Sequence, residues 1–334
     1  CNSNDGNGIY LGYSMRSIVI NNICNFNGGA GNYLFRSGFS TVANNTSNNN
    51  DGTGINLLYS TNSAIVNNTC NGNSNDGFYI GFSGFSTILN NVGNGNSWIG
   101  INLWESGNST IAKNICKNGY YGIYLLNSSS SLITDNTCNN NYHGINIREA
   151  SLTIANNTCN SNEDTGIILS YSANSMICNN TCNSNRNDGI YLWYSNYSTM
   201  VNNTCISNSN DGIYLGNSDS SNVINNTCNS NYNGIHSEDS GSSIIANNTC
   251  NDNLEYGIYL YLSSTSTVVN NTYSDNGEDD IYWYPVIVIT TTQSTSRTET
   301  SNSSSLITRV GLFLFVFGLL LVILVFTKRT RKNL

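Results

Sequence analysis

The sequence predicts an all-β solenoid: a single-stranded, right-handed parallel β-helix of about 12 coils of 21–23 residues, followed by one C-terminal transmembrane α-helix. Three observations predict this architecture. The tetrapeptide Asn-Asn-Thr-Cys, or a variant of it, returns from Cys1 to Tyr273 at spacings of 23 residues in nine cases, 22 in two and 21 in one. From Cys24 onward, Asn stands two residues before each such anchor and an apolar residue stands five before it. Finally, residues 310–326 contain no polar side chain.

Each coil contains short stretches in which apolar residues alternate with others, such as Ile213 and Leu215 around Tyr214. Asn, Gly, Ser and Asp separate these stretches, a pattern typical of strands joined by turns. A hairpin would explain an Asn-Asp-Gly turn but not the 23-residue period. A leucine-rich repeat would carry more Leu and often a helical segment. A coil of three short strands fits best, and right-handed crossovers are strongly preferred in parallel sheets.

Equivalent residues of successive coils lie about 4.8 Å apart, so side chains that pair with their own copies are favoured. Asn does so through amide hydrogen bonds, and small Cys side chains suit the inner face. We expect a second Asn column three residues after the anchors (Asn185, Asn208 and Asn231), and a positive φ at the Gly before each Ile, as at Gly189. The predicted ladder residues are Asn136, Asn157, Asn180, Asn203, Asn226, Asn248, Cys159, Cys182, Cys205 and Cys228.

The chain divides into four predicted segments. Residues 1–284 form the β-helix, which we expect to be truncated at its N-terminus because Cys1 already falls on the Cys column. Residues 285–305 form a Ser/Thr-rich stalk and 306–327 a transmembrane helix. The basic tail 328–334 belongs on the cytoplasmic side by the positive-inside rule. A single-pass protein of the cell membrane, with an extracellular β-helix, is therefore expected.

Charge limits the partners of the β-helix. Residues 1–284 contain 19 acidic and six basic residues, a net charge of −13. A rod this acidic repels the phosphate backbone, so nucleic acid is excluded. The expected partners are the membrane, through residues 306–327, and glycans or other cell-envelope proteins.

Aromatic residues recur on the outward face of the first strand of many coils. Exposed, contiguous aromatic surface marks interaction sites, and rings repeated every 4.8 Å suit a linear polysaccharide; the alternative is that the rings only stabilise cross-strand packing. The candidate carbohydrate-binding residues are Tyr79, Trp104, Tyr124, Tyr191, Trp193, Tyr194, Tyr214 and Tyr259. The candidate N-glycosylation sites are Asn108, Asn127, Asn196 and Asn302, which lie off the ladders.

No catalytic or metal-binding constellation is expected. His143 and His236 lie four coils apart, and the Cys spacings lack the short pairs of a zinc site. Asp residues that precede Gly (Asp51, Asp76, Asp188, Asp211) are interpreted as turn formers, with a Ca²⁺ line as the alternative. The column of Cys is interpreted as free buried thiols, with disulfides as the alternative; a Cu(I) site there would require the core to open.

The unit NNTCISNSNDGIYL (residues 202–215) and the Ser-x-x-Ser turn before the next NNT resemble the repeat of NosD-like proteins of the carbohydrate-binding-and-sugar-hydrolysis type. The Asn-rich versions common on archaeal cell surfaces are especially similar, and the resemblance covers residues 1–284. It implies a pectate-lyase-like fold. Relatives include polysaccharide-active enzymes and a periplasmic protein linked to copper-site maturation of nitrous oxide reductase.

This sequence departs from those relatives because it has neither a catalytic carboxylate cluster nor His/Met metal motifs. We therefore expect a membrane-anchored extracellular protein that is non-catalytic and serves cell-surface structure, adhesion or polysaccharide binding. The alternative is a NosD-type periplasmic copper-related protein or a polysaccharide lyase or hydrolase.

Overall fold

A computed structural model describes residues 1–284 of the chain. All regular structure in this range is β-strand. Among these residues, no helix is long and apolar enough to cross a bilayer. The stalk, transmembrane helix and basic tail predicted for 285–334 lie outside the described residues, as does Asn302.

The strands form two long parallel sheets and one short one. The first sheet contains β1 (Ile9–Gly12), β3 (Asn32–Phe35), β5 (Ile55–Leu58), β7 (Phe78–Gly81), β9 (Ile99–Trp104), β11 (Tyr121–Leu126), β13 (His143–Arg148), β15 (Ile167–Ser170), β17 (Ile190–Trp193), β19 (Ile213–Gly216), β21 (Ile235–Glu238), β24 (Ile258–Tyr261) and β27 (Ile281–Tyr284). The second contains β2 (Ile18–Ile20), β4 (Thr41–Ala43), β6 (Ala64–Val66), β8 (Thr87–Leu89), β10 (Thr110–Ala112), β12 (Leu132–Thr134), β14 (Thr153–Ala155), β16 (Met176–Cys178), β18 (Thr199–Val201), β20 (Asn222–Ile224), β22 (Ile244–Ala246) and β25 (Thr267–Val269). The short sheet pairs β23 (Thr249–Asn251) with β26 (Thr272–Ser274).

Every strand of the two long sheets pairs with the equivalent strand of the next coil. In the first sheet Tyr191 pairs with Tyr214, and Tyr214 pairs with His236. On the third side of the coil, single-residue parallel bridges run from Ile23 to Thr249. The prediction of a parallel β-helix of about 12 coils with three strand-like sides is therefore confirmed.

The core is a set of columns of apolar side chains. One coil places Ile213, Leu215, Val223 and Cys228 inside, and all four are completely buried. Most other coils repeat this arrangement, because one residue type at each position packs against its own copy above and below.

Two irregular coils compensate for a change at one core position with a change at another. Asn32 replaces the usual Ile in β3, and its Nδ2 donates to Oγ of Ser47, which replaces the anchor Cys, over 2.7 Å. Phe78 replaces Ile in β7, and the anchor that lies against its ring is Gly93, whose Cβ position is 3.4 Å from the ring. The first exchange satisfies a buried amide, and the second conserves core volume.

The Asn two residues before each anchor joins neighbouring coils. Asn203 Nδ2 donates to Oδ1 of Asn226 over 3.0 Å and to the carbonyl oxygen of Ile177 over 2.9 Å. The backbone N–H of Asn203 also donates to Asn226 Oδ1, at 2.9 Å. A second column connects Asn185 to Asn208 in the same way. Each amide therefore satisfies buried backbone and side-chain groups of both adjacent coils.

One detail of the turns was not predicted from the sequence, and a second differs from the prediction. The first Asn of each Asn-Asn pair, such as Asn202 with φ 56°, adopts the left-handed conformation, while the second forms the ladder. The Gly before Ile does not have a positive φ. At Gly189 a Cβ would lie 2.6 Å from the carbonyl oxygen of Gly212 and 2.8 Å from Cβ of Cys205. Glycine is required there because the next coil passes too close for a side chain.

The Ser-x-x-Ser turn noted in the sequence forms two hydrogen-bonded columns of Ser between the two long sheets, which sequence analysis did not predict. The N–H of Ser195 donates to Oγ of Ser218 over 3.0 Å, and that of Ser198 to Oγ of Ser221 over 3.3 Å. These hydroxyls are buried, so they replace water as partners of the turn backbone.

Replacement of Asn203 by Ala removes a side chain that accepts two hydrogen bonds from Asn180 and donates one each to Ile177 and Asn226. Because buried groups lose their partners, we expect the free energy of unfolding to fall by at least about 2 kcal/mol. Denaturant titration followed by far-UV circular dichroism measures this change. Asn202→Gly is the control, since that side chain is exposed and its φ suits Gly. Equal effects of the two changes would contradict the role of the ladder.

Candidate functional site

The outward position at the centre of each strand of the first sheet forms a column that we call the outer column. The register of the sheet brings its members together in one line. They are Tyr10, Tyr33, Asn56, Tyr79, Asn102, Tyr124, Asn146, Ile168, Tyr191, Tyr214, His236, Tyr259 and Tyr282. Five of the eight predicted carbohydrate-binding residues belong to this column.

The other three predicted residues lie beside it. Trp104 and Trp193 are two positions further along their strands, and Tyr194 follows Trp193 in the turn. The rings of Tyr191 and Tyr214 are stacked with centroids 4.8 Å apart, and those of Tyr191 and Trp193 are 6.3 Å apart. Tyr194 stacks on Tyr171 at 5.3 Å. The candidates therefore share one face but are distributed along it.

The outer column contains two clefts. Cleft A has a volume of about 320 Å³ and is lined chiefly by Asn56, Asp76, Tyr79, Trp98, Asn102 and Trp104. Cleft B has a volume of about 460 Å³ and is lined chiefly by Asp211, Tyr214, His236, Glu255, Tyr256, Tyr259 and Tyr282. Both volumes lie within the usual range of small-molecule sites, about 300–1,000 Å³.

In cleft A a buried carboxyl group orients an amide. Asn102 Nδ2 donates to Oδ2 of Asp76 over 2.9 Å. Burial raises the pKa of Asp76 to about 6, although hydrogen bonds from Asn102 and from the backbone of Ile99 oppose the increase. The Oδ1 atoms of Asn102 and Asn56 are buried and accept no hydrogen bond. Cleft A thus combines three aromatic rings with two amide oxygens that lack donors.

Cleft B repeats this arrangement with different residues. Asp211 Oδ2 is 2.9 Å from Nδ1 of His236, and Asp211 Oδ1 accepts a hydrogen bond from Asn233 Nδ2 over 2.8 Å. The His236 ring is flanked by Tyr214 and Tyr259, with centroids at 4.9 and 4.6 Å. The carboxylate therefore fixes the orientation of the imidazole, as Asp76 fixes that of Asn102.

Sequence analysis did not predict that Asp76 pairs with Asn102 or that Asp211 pairs with His236. The partners lie 26 and 25 residues apart, which is one coil plus the length of a short strand segment. Asp76 and Asp211 both precede the Gly before the strand, and both are buried. They therefore orient side chains of the next coil as well as form turns. Asp51 precedes a different Gly and is exposed, so it does not belong to the same column as Asp76 and Asp211.

The candidate glycosylation sites differ in exposure. Asn108 and Asn127 are exposed turn residues with φ 56° and 50°. Asn196 is half-buried, and its Oδ1 is buried without a hydrogen bond. The first Asn of each NNT is also exposed in a left-handed turn. Those NNT asparagines, which also stand in Asn-x-Thr sequons, are as accessible as Asn108.

The anchor Cys residues from Cys24 onward are buried in the core, whereas Cys1 is exposed. Burial raises the pKa of the Cys228 thiol. Within residues 1–284, no three side chains of His, Cys, Asp or Glu converge as metal ligands. Cys178 lies outside this column, half-buried on the outward side of β16.

The fold and the aromatic face define a right-handed β-helix protein. A family model described as "Right handed beta helix region" matches residues 99–244. The model described as "Periplasmic copper-binding protein (NosD)" matches residues 1–115 and 205–302, more than half of the chain. The chain belongs to this NosD family of β-helix proteins. No curated protein sequence matches the chain.

Solved structures with the same fold act on polysaccharides. The periplasmic alginate epimerase AlgG has a TM-score of 0.59 and 16% identity, over 77% of this chain and 76% of that chain. The A-module of the Azotobacter vinelandii mannuronan C-5 epimerase AlgE4 has a TM-score of 0.56 and 15% identity, over 83% and 82% of the two chains. The catalytic domain of an α-1,3-glucanase in complex with tetrasaccharides has a TM-score of 0.52 and 12% identity, over 84% and 60%. At these identities the similarity shows the fold alone.

The carboxyl groups near cleft B make stability depend on pH. Burial and the nearby Asp211 raise the pKa of Asp188 to about 8, against hydrogen bonds from Asn210 and the backbone of Asp211. Asp in an unfolded chain has a pKa of about 3.9. Between these values the folded chain keeps a proton that the unfolded chain has lost, so the free energy of unfolding falls as the pH rises.

Asp188→Asn removes this ionisation. Relative to the unmodified protein, we expect the variant to gain stability steadily from pH 5 to pH 8. Urea denaturation at several pH values measures the difference. Asp219→Asn, which changes an exposed carboxyl group, is the control and should leave the slope unchanged. A constant difference between Asp188→Asn and the unmodified protein across this pH range would show that Asp188 titrates alike in both states.

Proposed function

We propose that this protein is a membrane-anchored, extracellular β-helix whose aromatic face binds polysaccharide without cleaving it. The observation that supports this most directly is cleft A, where Tyr79, Trp98 and Trp104 surround the amides of Asn56 and Asn102. Aromatic surface with a few oriented polar groups is the usual composition of a ligand site. Such a surface matches a sugar ring, which has an apolar face and a rim of hydroxyl groups.

The amides of cleft A favour neutral sugars. The Oδ1 atoms of Asn56 and Asn102 are buried acceptors without donors, and a hydroxyl group can donate to either one after a small shift of the side chains above it. A uronic acid carboxylate offers only acceptors, and it would lie near the carboxyl group of Asp76. We therefore expect cleft A to prefer neutral hexose units over uronates.

The carboxyl groups of cleft A support binding there without turnover. Most glycoside hydrolases use two carboxyl groups on opposite sides of the scissile bond, and Asp76 is the only one that lines this cleft. The polysaccharide-active proteins with the same fold support sugar as the ligand class. The copper in the family's description has no matching ligand cluster among residues 1–284.

The cell-surface part of the proposal rests on the sequence beyond the β-helix. Residues 306–327 supply the membrane span, 285–305 a stalk and 328–334 a basic cytoplasmic tail. The family's description as periplasmic also supports a location of the β-helix outside the cytoplasm. Adhesion or a contribution to envelope structure would follow from glycan binding on such a rod.

Replacement of both Tyr79 and Trp104 by Ala should abolish most binding at cleft A. Two stacking rings each contribute about 0.5–1.5 kcal/mol beyond the area that they bury, so affinity should fall about tenfold or more. Glucan, mannan and galactan oligosaccharides are first tested on a glycan array with oligomannuronate, and the hits are measured by calorimetry. The control is Tyr197→Ala, an exposed tyrosine outside the outer column. Unchanged binding by the double variant, or a preference for oligomannuronate, would rule out this site.

Membrane anchoring is tested with the chain fused behind an export signal. The full chain should remain in the membrane pellet after carbonate washing, whereas a chain ending at residue 305 should be soluble. Protease added to intact cells should degrade the β-helix and spare a tag placed after Leu334. A full chain that washes off the membrane, or a tag that is cleaved from outside, would contradict the anchor or its orientation.

A further inference from the structure

Charge is distributed very unevenly along the β-helix. Residues 1–186 contain eight acidic and six basic residues, whereas residues 187–284 contain eleven acidic residues and no Lys or Arg. Cleft A lies in the nearly neutral part, and cleft B lies in the strongly anionic part. The two clefts are six coils apart, about 29 Å at 4.8 Å per coil. The same face therefore presents two sites of different electrostatic character.

Within residues 1–284, the carboxyl groups in and beside cleft B have no Lys or Arg as a partner. Tyr214 Oη donates to Oε2 of Glu238 over 2.6 Å, and Tyr232 Oη donates to Oε1 of Glu255. Neither of these Glu residues forms an ion pair within residues 1–284, and the contact of Asp211 there is with His236. Phenol donors solvate these charges without neutralising them, so the cleft keeps a negative potential.

Three tyrosine rings gather at the wall beside Glu255. The centroids of Tyr256 and Tyr259 are 5.3 Å apart, those of Tyr256 and Tyr282 are 5.0 Å apart, and those of Tyr259 and Tyr282 are 5.6 Å apart. Aromatic faces attract a cation electrostatically, most strongly where it is partly desolvated. The nearby carboxylates also attract a cation. Burial, and then the charge of Glu255, raise the pKa of the Tyr256 hydroxyl.

We propose that cleft B binds the ammonium group of an amino-sugar unit, so that the face takes polysaccharides containing deacetylated 2-amino sugars. This rests on the glycan-binding function proposed above and assigns the ligand class of its second cleft. The ammonium group lies against Tyr256, Tyr259 and Tyr282, near Glu255. The sugar ring continues from the cleft toward Tyr191, whose ring stacks on that of the buried Tyr214.

Two alternative occupants fit the cleft less well. A divalent metal ion needs several oxygen or nitrogen ligands at one point, and no group of three acidic, His or Cys side chains converges within residues 1–284. A Lys side chain of a protein would satisfy the rings and Glu255. It would not use the flat stack of Tyr191 and Tyr214, centroids 4.8 Å apart and planes 4° apart, which leads into the cleft.

The test compares the hexamers of glucosamine, N-acetylglucosamine and lysine. The two sugar hexamers differ in charge, and hexalysine carries its charges on a peptide backbone. Binding to the full chain in detergent micelles is measured by calorimetry at low salt. The glucosamine hexamer should bind about tenfold or more tightly than its acetylated counterpart, and NaCl should reduce that advantage because it screens the charges. No advantage over the acetylated hexamer, or equal or tighter binding of hexalysine, would overturn the proposal.

Two variants test whether the tighter binding of the glucosamine hexamer arises at cleft B. Glu255→Gln keeps an acceptor for Tyr232, and Tyr256→Leu keeps bulk, yet each should lower affinity for the glucosamine hexamer about tenfold. Asp219→Asn removes one charge from the same anionic half at an exposed position away from the cleft, and it should have little effect. An equal loss in Glu255→Gln and Asp219→Asn would indicate diffuse attraction and overturn the site.

The same measurements distinguish failure of the amino-sugar site in cleft B from failure of the proposed glycan-binding function. If cleft B is wrong and glycan binding is right, neutral oligosaccharides still bind and still depend on Tyr79 and Trp104. If neutral binding fails while the glucosamine hexamer binds and depends on Glu255, cleft A is refuted and cleft B stands. Absence of binding to both the neutral oligosaccharides and the glucosamine hexamer refutes both sites.

Discussion

The structure depends on one constraint: successive coils must keep the same register, so that each buried amide meets its own copy in the next coil. The side chain of Asn203 accepts from the coil before it and donates to the coil after it. A slip of one residue would break such bonds throughout the column and turn every strand's apolar face outward. A single coil cannot satisfy its own polar groups, so stability arises only between neighbours. This explains why coils of 21, 22 and 23 residues coexist: the turn lengths vary, while the ladder positions stay aligned.

Repetition made the fold predictable. Each ladder position is sampled in about twelve coils, so a residue that returns every time reveals a shared environment even without its neighbours in space. Repetition did not reveal why the residue is needed. The ladder position of Asn203 was predicted, whereas the left-handed turn at Asn202 was not. Gly189 was expected to bend the backbone, but it is required by the closeness of Gly212. Backbone torsion and the space between coils depend on the three-dimensional structure. A residue required for its torsion and a residue required for lack of space cannot be distinguished from the sequence.

The candidate sites were harder to predict because they occur where the repeat is broken. Tyr79 and Tyr214 follow the pattern and were identified from it. Asn102 and His236 replace the Tyr of the outer column, and Asp76 and Asp211 have a special role only because one of these replacements lies one coil further on. A departure from the consensus in one coil gains a function through a departure in the neighbouring coil. The same logic joins Asn32 to Ser47 and Phe78 to Gly93 in the core.

A β-helix can therefore separate the demands of folding from those of recognition. Inward positions and turn ladders are constrained by stacking, whereas each outward position of the first sheet is free to change at little cost to the core. Charge varies independently of the core in the same way: residues 187–284 contain no Lys or Arg, while the inner Ile column continues through Ile213, Ile235 and Ile258. The carboxylates in these four to five coils, which no Lys or Arg balances, repel each other and reduce stability. A stacked core of strongly buried residues can bear that cost, but nothing in the ladders requires it. The anionic half is thus better explained by what it binds than by how it folds.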